Sequence, residues 1–168
     1  MTWTPPPSTF GALDPGKEYA GLAVFVAGQA VLAKKLVSPK PWPMSLLCLG
    51  QQALELVGPG LPLFVFEMPV LRHGAGKAHL GGDLLPLVGT CGAVASALRP
   101  VAIEDYEPGR WKGTIDGDVL VRRIKGTKTE PGKLTAAELV VLGSGDHNVV
   151  DAMGIGLWRL GRLHPNLR

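Results

Sequence analysis

Three acidic residues that lie far apart in the chain stand where chemistry with metal ions is possible. Asp14 ends the apolar segment TFGALD and precedes a Pro-Gly turn, Glu67 ends the apolar segment LFVFE, and Asp151 lies in the last predicted helix. A charge at the end of a buried strand is costly unless it is paired or bound to a metal. Adjacent carboxylates repel each other and hold a divalent cation well. The three acids together are typical of phosphodiester hydrolysis by two metal ions about 3.5–4 Å apart.

The last helix contains two further candidate groups. His147 precedes Asp151 by four residues, so the two side chains share one helix face, whereas Asp146 is better placed as the N-cap. Gly154 and Gly156 each cost about 1 kcal/mol in a helix. They indicate a helix that lies very close to a sheet; an ordinary capped amphipathic helix is the alternative.

The elements that position these acids follow from the hydrophobic pattern. Three apolar runs separated by short glycine-bearing turns predict an antiparallel meander, and two continuous apolar runs joined by helical crossovers predict parallel strands. The expected fold class is therefore α/β, with a mixed five-stranded sheet (an antiparallel three-strand meander plus two parallel strands) and helices on both faces. The expected strands are 9–14, 20–27, 30–37, and the buried 63–67 and 101–105; the expected helices are 45–58, 83–98, 135–143 and 146–163.

The composition is that of one folded domain. The 168 residues are 46% hydrophobic and 18% charged, which provides a core and excludes a disordered chain. We expect a Pro-rich lead over 1–8 and a single domain over 9–168. No apolar stretch reaches the roughly 18–20 residues of a membrane span, and residues 1–8 do not resemble a signal peptide. Cys48 and Cys91 lie in helical patterns and are expected to be buried free thiols, which suits the cytosol of a bacterium or a phage-infected cell.

The basic residues are unevenly distributed. The net charge is only +3, but the stretch from 110 to 133, predicted to be irregular, is rich in Lys and Arg, and a glycine-rich loop over 70–82 contains more. A solvated face is one interpretation of this bias, and contact with DNA phosphates is the other. Trp111 is expected to be a packing anchor. The expected DNA-binding residues are Arg72, Lys77, Arg110, Lys112, Arg122 and Arg123.

Four segments, in order, resemble one known family. ALDPGKEYAGLAVF resembles the opening motif of RuvC-type Holliday-junction resolvases, which belong to the RNase H-like superfamily, and FVFE resembles their second-acid strand. HNVVDAMGIGLW is similar to their last helix, and PGRWKG, followed by Arg122 and Arg123, to a segment of the phage-type members. The resemblance spans about 9–163. It implies an RNase H-like fold.

The resemblance also implies a function. Asp14, Glu67 and Asp151 would be metal-binding catalytic acids that hold two Mg²⁺ ions, for which Mn²⁺ can substitute. The substrate would be a four-way junction or other branched DNA, cut to leave 5′ phosphates. The two-fold symmetry of a junction requires two active sites, hence a homodimer. One residue departs from the family: the fourth site residue lies three positions before the last acid, and here that position is Asn148, a poor metal ligand. By this resemblance we expect His147 to take the role as a ligand or proton shuttle, with Asp146 as the alternative metal ligand.

Two other functions use the same residues. An RNase H-like nuclease that acts on RNA–DNA hybrids or flaps would need the same acids but no dimer. A catalytically inactive DNA-binding module would need the fold without the acids, and retention of all three acids argues against it. Actin-like phosphotransferases share a related fold, but they need two such domains, for which 168 residues leave no room.

Overall fold

The computed structural model describes residues 8–68, 84–113, 115–127, 132–143 and 145–164. The loop predicted over 70–82, with Arg72 and Lys77, lies outside the described residues, as does all of the Pro-rich lead except Ser8.

The sheet has the five strands that the hydrophobic pattern predicts. Their order across the sheet is β3-β2-β1-β4-β5. β1 pairs antiparallel with β2, and β2 with β3, whereas β4 is parallel to both β1 and β5. The predicted mixed sheet of an antiparallel meander plus two parallel strands is therefore confirmed. The strands are β1 (Phe10–Asp14), β2 (Tyr19–Val26), β3 (Gln29–Val37), β4 (Leu63–Glu67) and β5 (Ala102–Tyr106).

Helices cover both faces of the sheet, as predicted. They are α1 (Ser45–Val57), α2 (Leu84–Leu98), α3 (Pro108–Trp111), α4 (Gly117–Lys125), α5 (Ala136–Leu142) and α6 (His147–Arg159). Side chains alternate between the faces along each strand. Phe10 and Ala12 therefore pack in one core with α6 and its neighbours α3, α4 and α5, whereas Leu13 packs in a second core with α1 and α2.

Helix α6 lies against the sheet at very short range, and its glycines allow this. A Cβ atom added to Gly156 would lie 2.0 Å from Cε2 of Phe25 on β2. On the strand side, a Cβ added to Gly21 would lie 1.9 Å from the carbonyl oxygen of Asn148. No side chain fits at such distances, so both positions require glycine. The expectation that the helix glycines bring α6 close to the sheet is confirmed for Gly156, whereas Gly154 faces Trp111 on α3.

Several predictions about local structure are wrong in detail. The stretch after β5, predicted to be irregular, contains the short helices α3 and α4; Asp116 caps α4 by accepting a hydrogen bond from the backbone N–H of Asp118. Strand β5 was predicted to be buried, but it is the edge strand and most of its residues are exposed. Cys91 is buried as predicted, whereas Cys48 is only partly buried. Within the described ranges, no helix is long and apolar enough to cross a membrane.

Candidate active site

Asp14 and Glu67 end neighbouring parallel strands. The register of β1 and β4 pairs Leu13 with Phe66, so the two acids follow directly at the carboxyl end of this strand pair. Both lie in the alternation that faces α6, since Ala12 on β1 and Val65 on β4 belong to the core on that side. The carboxyl ends of adjacent parallel strands are a common place for a site in an α/β sheet.

Asp151 reaches the same place from α6. This helix packs across β1, β2, β3 and β4, and Asp151 stands four residues after its first residue, His147. The residue is buried, with 4% of its surface exposed. The close approach of α6 to the sheet, which Gly21 and Gly156 permit, therefore brings Asp151 to the ends of β1 and β4.

The three acids form one electrostatic cluster. Asp14 is buried, and this burial, followed by the negative charges of Asp151 and Glu67, raises its pKa well above the ordinary value. A hydrogen bond from Asn148 and the positive charge of Lys112 oppose the rise without cancelling it. Buried like charges with a raised pKa are typical of functional sites. Such an arrangement weakens the fold, so its presence indicates a role other than stability.

Each acid accepts a hydrogen bond from a different side chain. Nδ2 of Asn148 lies 3.1 Å from Oδ2 of Asp14. Indole Nε1 of Trp111 lies 2.7 Å from Oε2 of Glu67, and Nζ of Lys112 lies 2.7 Å from Oδ2 of Asp151.

These donors were not predicted as partners of the acids. The contact between Asn148 and Asp14 joins residues 134 apart in the sequence. Only the position of Asn148, three residues before Asp151 on the same helix face, could have suggested it. For Trp111 and Lys112 the sequence offers no signal, because α3 reaches the acids only through the folded chain. Trp111 is fully buried, as expected of a packing anchor.

His147 and Asp146, at the start of α6, make different side-chain contacts. Nε2 of His147 lies 3.5 Å from Oδ2 of Asp151, and the side chain of His147 is 65% exposed. Asp146 is the N-cap, accepting the backbone N–H of Asn148, and it forms an ion pair with Lys35 at 2.8 Å. The hydrogen bond from Lys35 is the main cause that lowers the pKa of Asp146. His147 therefore faces the acid cluster while Asp146 is engaged elsewhere; their roles remain predictions.

The predicted DNA-binding residues that the structure describes differ in their surroundings. Arg110 on α3 and Arg122 on α4 are exposed, and Arg123 is partly buried. Lys112, in contrast, lies at the acid cluster in contact with Asp151. The structure thus places Lys112 beside Asp151, while contact of these residues with DNA remains a prediction.

The site residues are suited to a divalent metal in chemistry but not yet arranged as a cage. In the part of the chain that the structure describes, no three Asp, Glu, His or Cys side chains are grouped closely enough to hold an ion. Oδ1 of Asp151 is nevertheless buried without a hydrogen-bond partner, a costly state that a cation would relieve. Carboxylate oxygens are the ligands that Mg²⁺ prefers. The donor chemistry of the acids therefore fits a divalent cation, although among the described residues their side chains do not enclose one.

Comparison with known proteins shows the fold. No protein-family model and no curated protein sequence matches the chain. Among solved structures, Thermus thermophilus RuvC in complex with a Holliday junction substrate matches with a TM-score of 0.56 and 17% identity, over 94% of this chain and 98% of that one. Another Thermus thermophilus RuvC structure matches with a TM-score of 0.55 and 19% identity, over 94% of this chain and 99% of that one. The chain therefore has the RNase H-like fold of the RuvC structures.

Proposed function

We propose that this chain is a divalent-metal-dependent endonuclease of the RuvC type, which cuts four-way junctions or other branched DNA. The observation that carries the proposal is the burial of Asp14 beside Asp151 and Glu67, whose charges add to the rise of its pKa. A protein that only binds DNA has no need of three acids that repel each other at the end of a strand pair.

In this proposal Asp14, Glu67 and Asp151 hold the metal, two Mg²⁺ ions per site, and His147 acts as a further ligand or a proton shuttle. The bound metal supplies an activated water and stabilises the charge on the leaving oxygen. The chain orients the acids: Asn148 holds one oxygen of Asp14, and the fit of α6 against the sheet keeps Asp151 in place. The expected product carries a 5′ phosphate.

The proposed substrate and assembly rest on two kinds of support. One of the solved RuvC structures with this fold is a complex with a Holliday junction substrate. In addition, α3 and α4, which carry basic residues, pack in the same core as α6. A four-way junction has two-fold symmetry, so its symmetric resolution needs two sites and therefore a homodimer. Light scattering tests the assembly, since a monomer at working concentration contradicts paired cutting.

The deciding experiment compares synthetic four-way junctions, flaps, duplex DNA and RNA–DNA hybrids, with Mg²⁺, Mn²⁺, Ca²⁺ or no metal. We expect junction cleavage with Mg²⁺ or Mn²⁺, and binding with little turnover in Ca²⁺, because its looser coordination misplaces the reacting groups. Asp14→Asn should abolish cleavage and keep binding. Asp105→Asn is the matched control, an exposed acid paired with Phe66 in the sheet.

Three outcomes would contradict this proposal in different ways. Preferred cutting of hybrids would favour an RNase H-like activity instead. Binding of junctions without cleavage under any metal would favour an inactive DNA-binding module. Equal cleavage by the Asp14→Asn and wild-type proteins would show that the acids are not the catalytic groups.

A further inference from the structure

The indole of Trp111 connects two elements that bear acids. Trp111 is the last residue of α3 and is fully buried. Its Nε1 donates a hydrogen bond of 2.7 Å to Oε2 of Glu67 on β4. The next residue, Lys112, contacts Asp151 on α6. One turn of chain therefore contacts the second and third acids at once.

Gly154 makes room for this indole. It lies on α6 three residues after Asp151, on the same side of the helix. A Cβ atom added to Gly154 would lie 2.7 Å from Cζ3 and 3.3 Å from Cη2 of Trp111. It would also lie 3.2 Å from Cδ1 of Ile124 on α4. Any side chain at this position must therefore displace the ring or the helix, because the fully buried ring leaves no free space beside Gly154.

Displacing the ring would change the orientation of Glu67. A hydrogen bond from an N–H group to a carboxylate is shorter and about twice as strong as one between neutral groups. The indole donates to Oε2 from a fully buried ring, so this hydrogen bond restrains the position of the Glu67 carboxyl group. Groups that orient a ligating carboxylate in this way change metal affinity or activity by about 10–100-fold when they are lost.

We propose that Trp111 is a positioning residue for the Glu67 carboxylate in the proposed metal site, and that Gly154 is required because only glycine admits the indole there. The inference rests on the proposed function, since it concerns metal binding by the same acids. It assigns a role to two buried residues, one on α3 and one on α6, which together position the carboxylate of Glu67.

The hydrogen bond is tested first, without metal. The chain has four tryptophans, so a ¹⁵N–¹H spectrum contains four indole signals, and Trp111→Phe identifies the one that belongs to Trp111. We expect this signal to shift in Glu67→Gln, because the neutral amide is a weaker acceptor than the carboxylate. We also expect it to shift when Mg²⁺ is added to the wild-type protein. A Trp111 signal that Glu67→Gln leaves in place overturns the inference.

Metal affinity is tested next by calorimetric titration with Mg²⁺. Trp111→Phe keeps most of the ring and removes the N–H, and Gly154→Ala keeps the N–H and displaces the ring. We expect both variants to bind Mg²⁺ about 10–100-fold more weakly than the wild-type protein. Excess Mg²⁺ should restore junction cleavage. An unfolded variant would not regain cleavage in this way. The controls are Trp158→Phe and Gly92→Ala, a helical glycine whose added Cβ meets nothing within 4 Å.

The two proposals fail in distinguishable ways. If the wild-type protein binds Mg²⁺ and both Trp111→Phe and Gly154→Ala bind it equally well, the positioning role is wrong and the nuclease proposal stands. If the wild-type protein binds no Mg²⁺ or Mn²⁺, the proposed function is wrong, and the positioning role for a metal site is wrong with it. Should Gly154→Ala fail to fold, the result from Trp111→Phe decides.

Discussion

Nζ of Lys112 lies 2.7 Å from Oδ2 of Asp151, and the two side chains are 20% and 6% exposed. The lysine is thus a counter-ion within the acid cluster. Arg122 and Arg123 lie on α4 outside this contact. The sequence analysis assigns all three residues to DNA binding, but only Lys112 has this contact with Asp151. We therefore expect substitution of Lys112 to have a different effect from substitution of the two arginines.

We expect Lys112→Ala to reduce cleavage at saturating junction DNA by roughly 10²-fold, the usual effect of removing a group that stabilises charge at a reacting centre. DNA affinity should change little, because this side chain is partly buried. Single-turnover rates and binding curves measured on the same junction separate the two effects. A variant that binds weakly but cuts normally once saturated would return Lys112 to the role of a simple phosphate contact.

The double variant Arg122→Ala/Arg123→Ala should show the opposite pattern. If these arginines contact phosphates, affinity should fall for every branched substrate, and the log–log salt slope should flatten by up to about two units, near 0.9 per phosphate contact. Turnover at saturating DNA should survive. Titrations at several salt concentrations measure the slope, with Lys40→Ala as a control for the loss of one exposed charge. An unchanged slope would identify this face as merely solvated.

Asp14→Asn should abolish cleavage and yet stabilise the metal-free protein. The folded-state pKa of Asp14 lies above its ordinary value of 3.8, through burial and then the charges of Asp151 and Glu67. Between those two pKa values the native state binds more protons than the unfolded state, so wild-type stability falls as pH rises through that window. The Asn variant has no carboxyl group at this position, so this fall in stability is absent from it. We expect its Tm to be a few degrees higher at neutral pH, since about 1 kcal/mol shifts Tm by roughly 2–4 °C in a domain of this size.

Thermal unfolding with EDTA present, from pH 3 to pH 8, measures this difference. It should shrink toward the acidic end, where Asp14 is protonated in both states. Asp105→Asn is the control for the loss of an exposed acid on β5. A variant less stable than wild type at neutral pH would contradict the charge repulsion that supports the candidate site.

His147→Ala should slow cleavage far more than Asp146→Ala. His147 faces Asp151 at 3.5 Å, whereas Asp146 caps α6 and pairs with Lys35. Loss of the cap should lower stability by about 1 kcal/mol. Cleavage rates at saturating Mg²⁺ and DNA, with a melting curve for each variant, separate catalysis from stability. The reverse order of rates would make Asp146 the ligand, and equal mild effects would leave a site of three acids.

Glu138 offers a test of pH-dependent stability away from the acids. Its carboxyl group is 1% exposed and is held by Arg162 at 2.7 Å and by the backbone N–H of Ala30 at 3.0 Å. Burial alone would raise the pKa of Glu138, but hydrogen bonds from Arg162, Ala30 and Thr135 lower it from 4.5 to about 2. This stabilisation is therefore present above pH 4.5 and is lost as pH falls toward about 2.

We expect Glu138→Gln to destabilise the protein at pH 7 by roughly 3 kcal/mol, the scale set by the change in pKa and by the loss of a buried pair. The difference from wild type should narrow as pH falls below 4.5. Urea unfolding at a series of pH values measures it. Glu55→Gln on the exposed surface of α1 is the control. A difference that does not vary with pH would contradict the ionised pair.

The sequence alone determined the sheet, its two parallel strands and the helices on both faces, because strand periodicity, glycine turns and apolar runs are local signals. It also singled out Asp14, Glu67 and Asp151, since acids at the ends of apolar elements stand out without any knowledge of contacts. The capping box of Thr135 and Glu138 at the start of α5 is likewise a local pattern, because a Thr followed three residues later by a Glu can be recognised in the sequence. Of the two glycines of α6, Gly156 correctly indicated its close approach to the sheet, whereas Gly154 packs against Trp111.

Tertiary structure alone decided which side chains meet the acids. Trp111 and Lys112 follow β5 in a stretch with no clear periodicity. Trp111 is 44 positions from Glu67, and Lys112 is 39 positions from Asp151, so no local pattern indicates these contacts. The exposure of β5 was equally unreadable, because an apolar run does not reveal whether its strand lies at the centre or at the edge of a sheet. Such features depend on packing between distant elements, and no local pattern of residues encodes them.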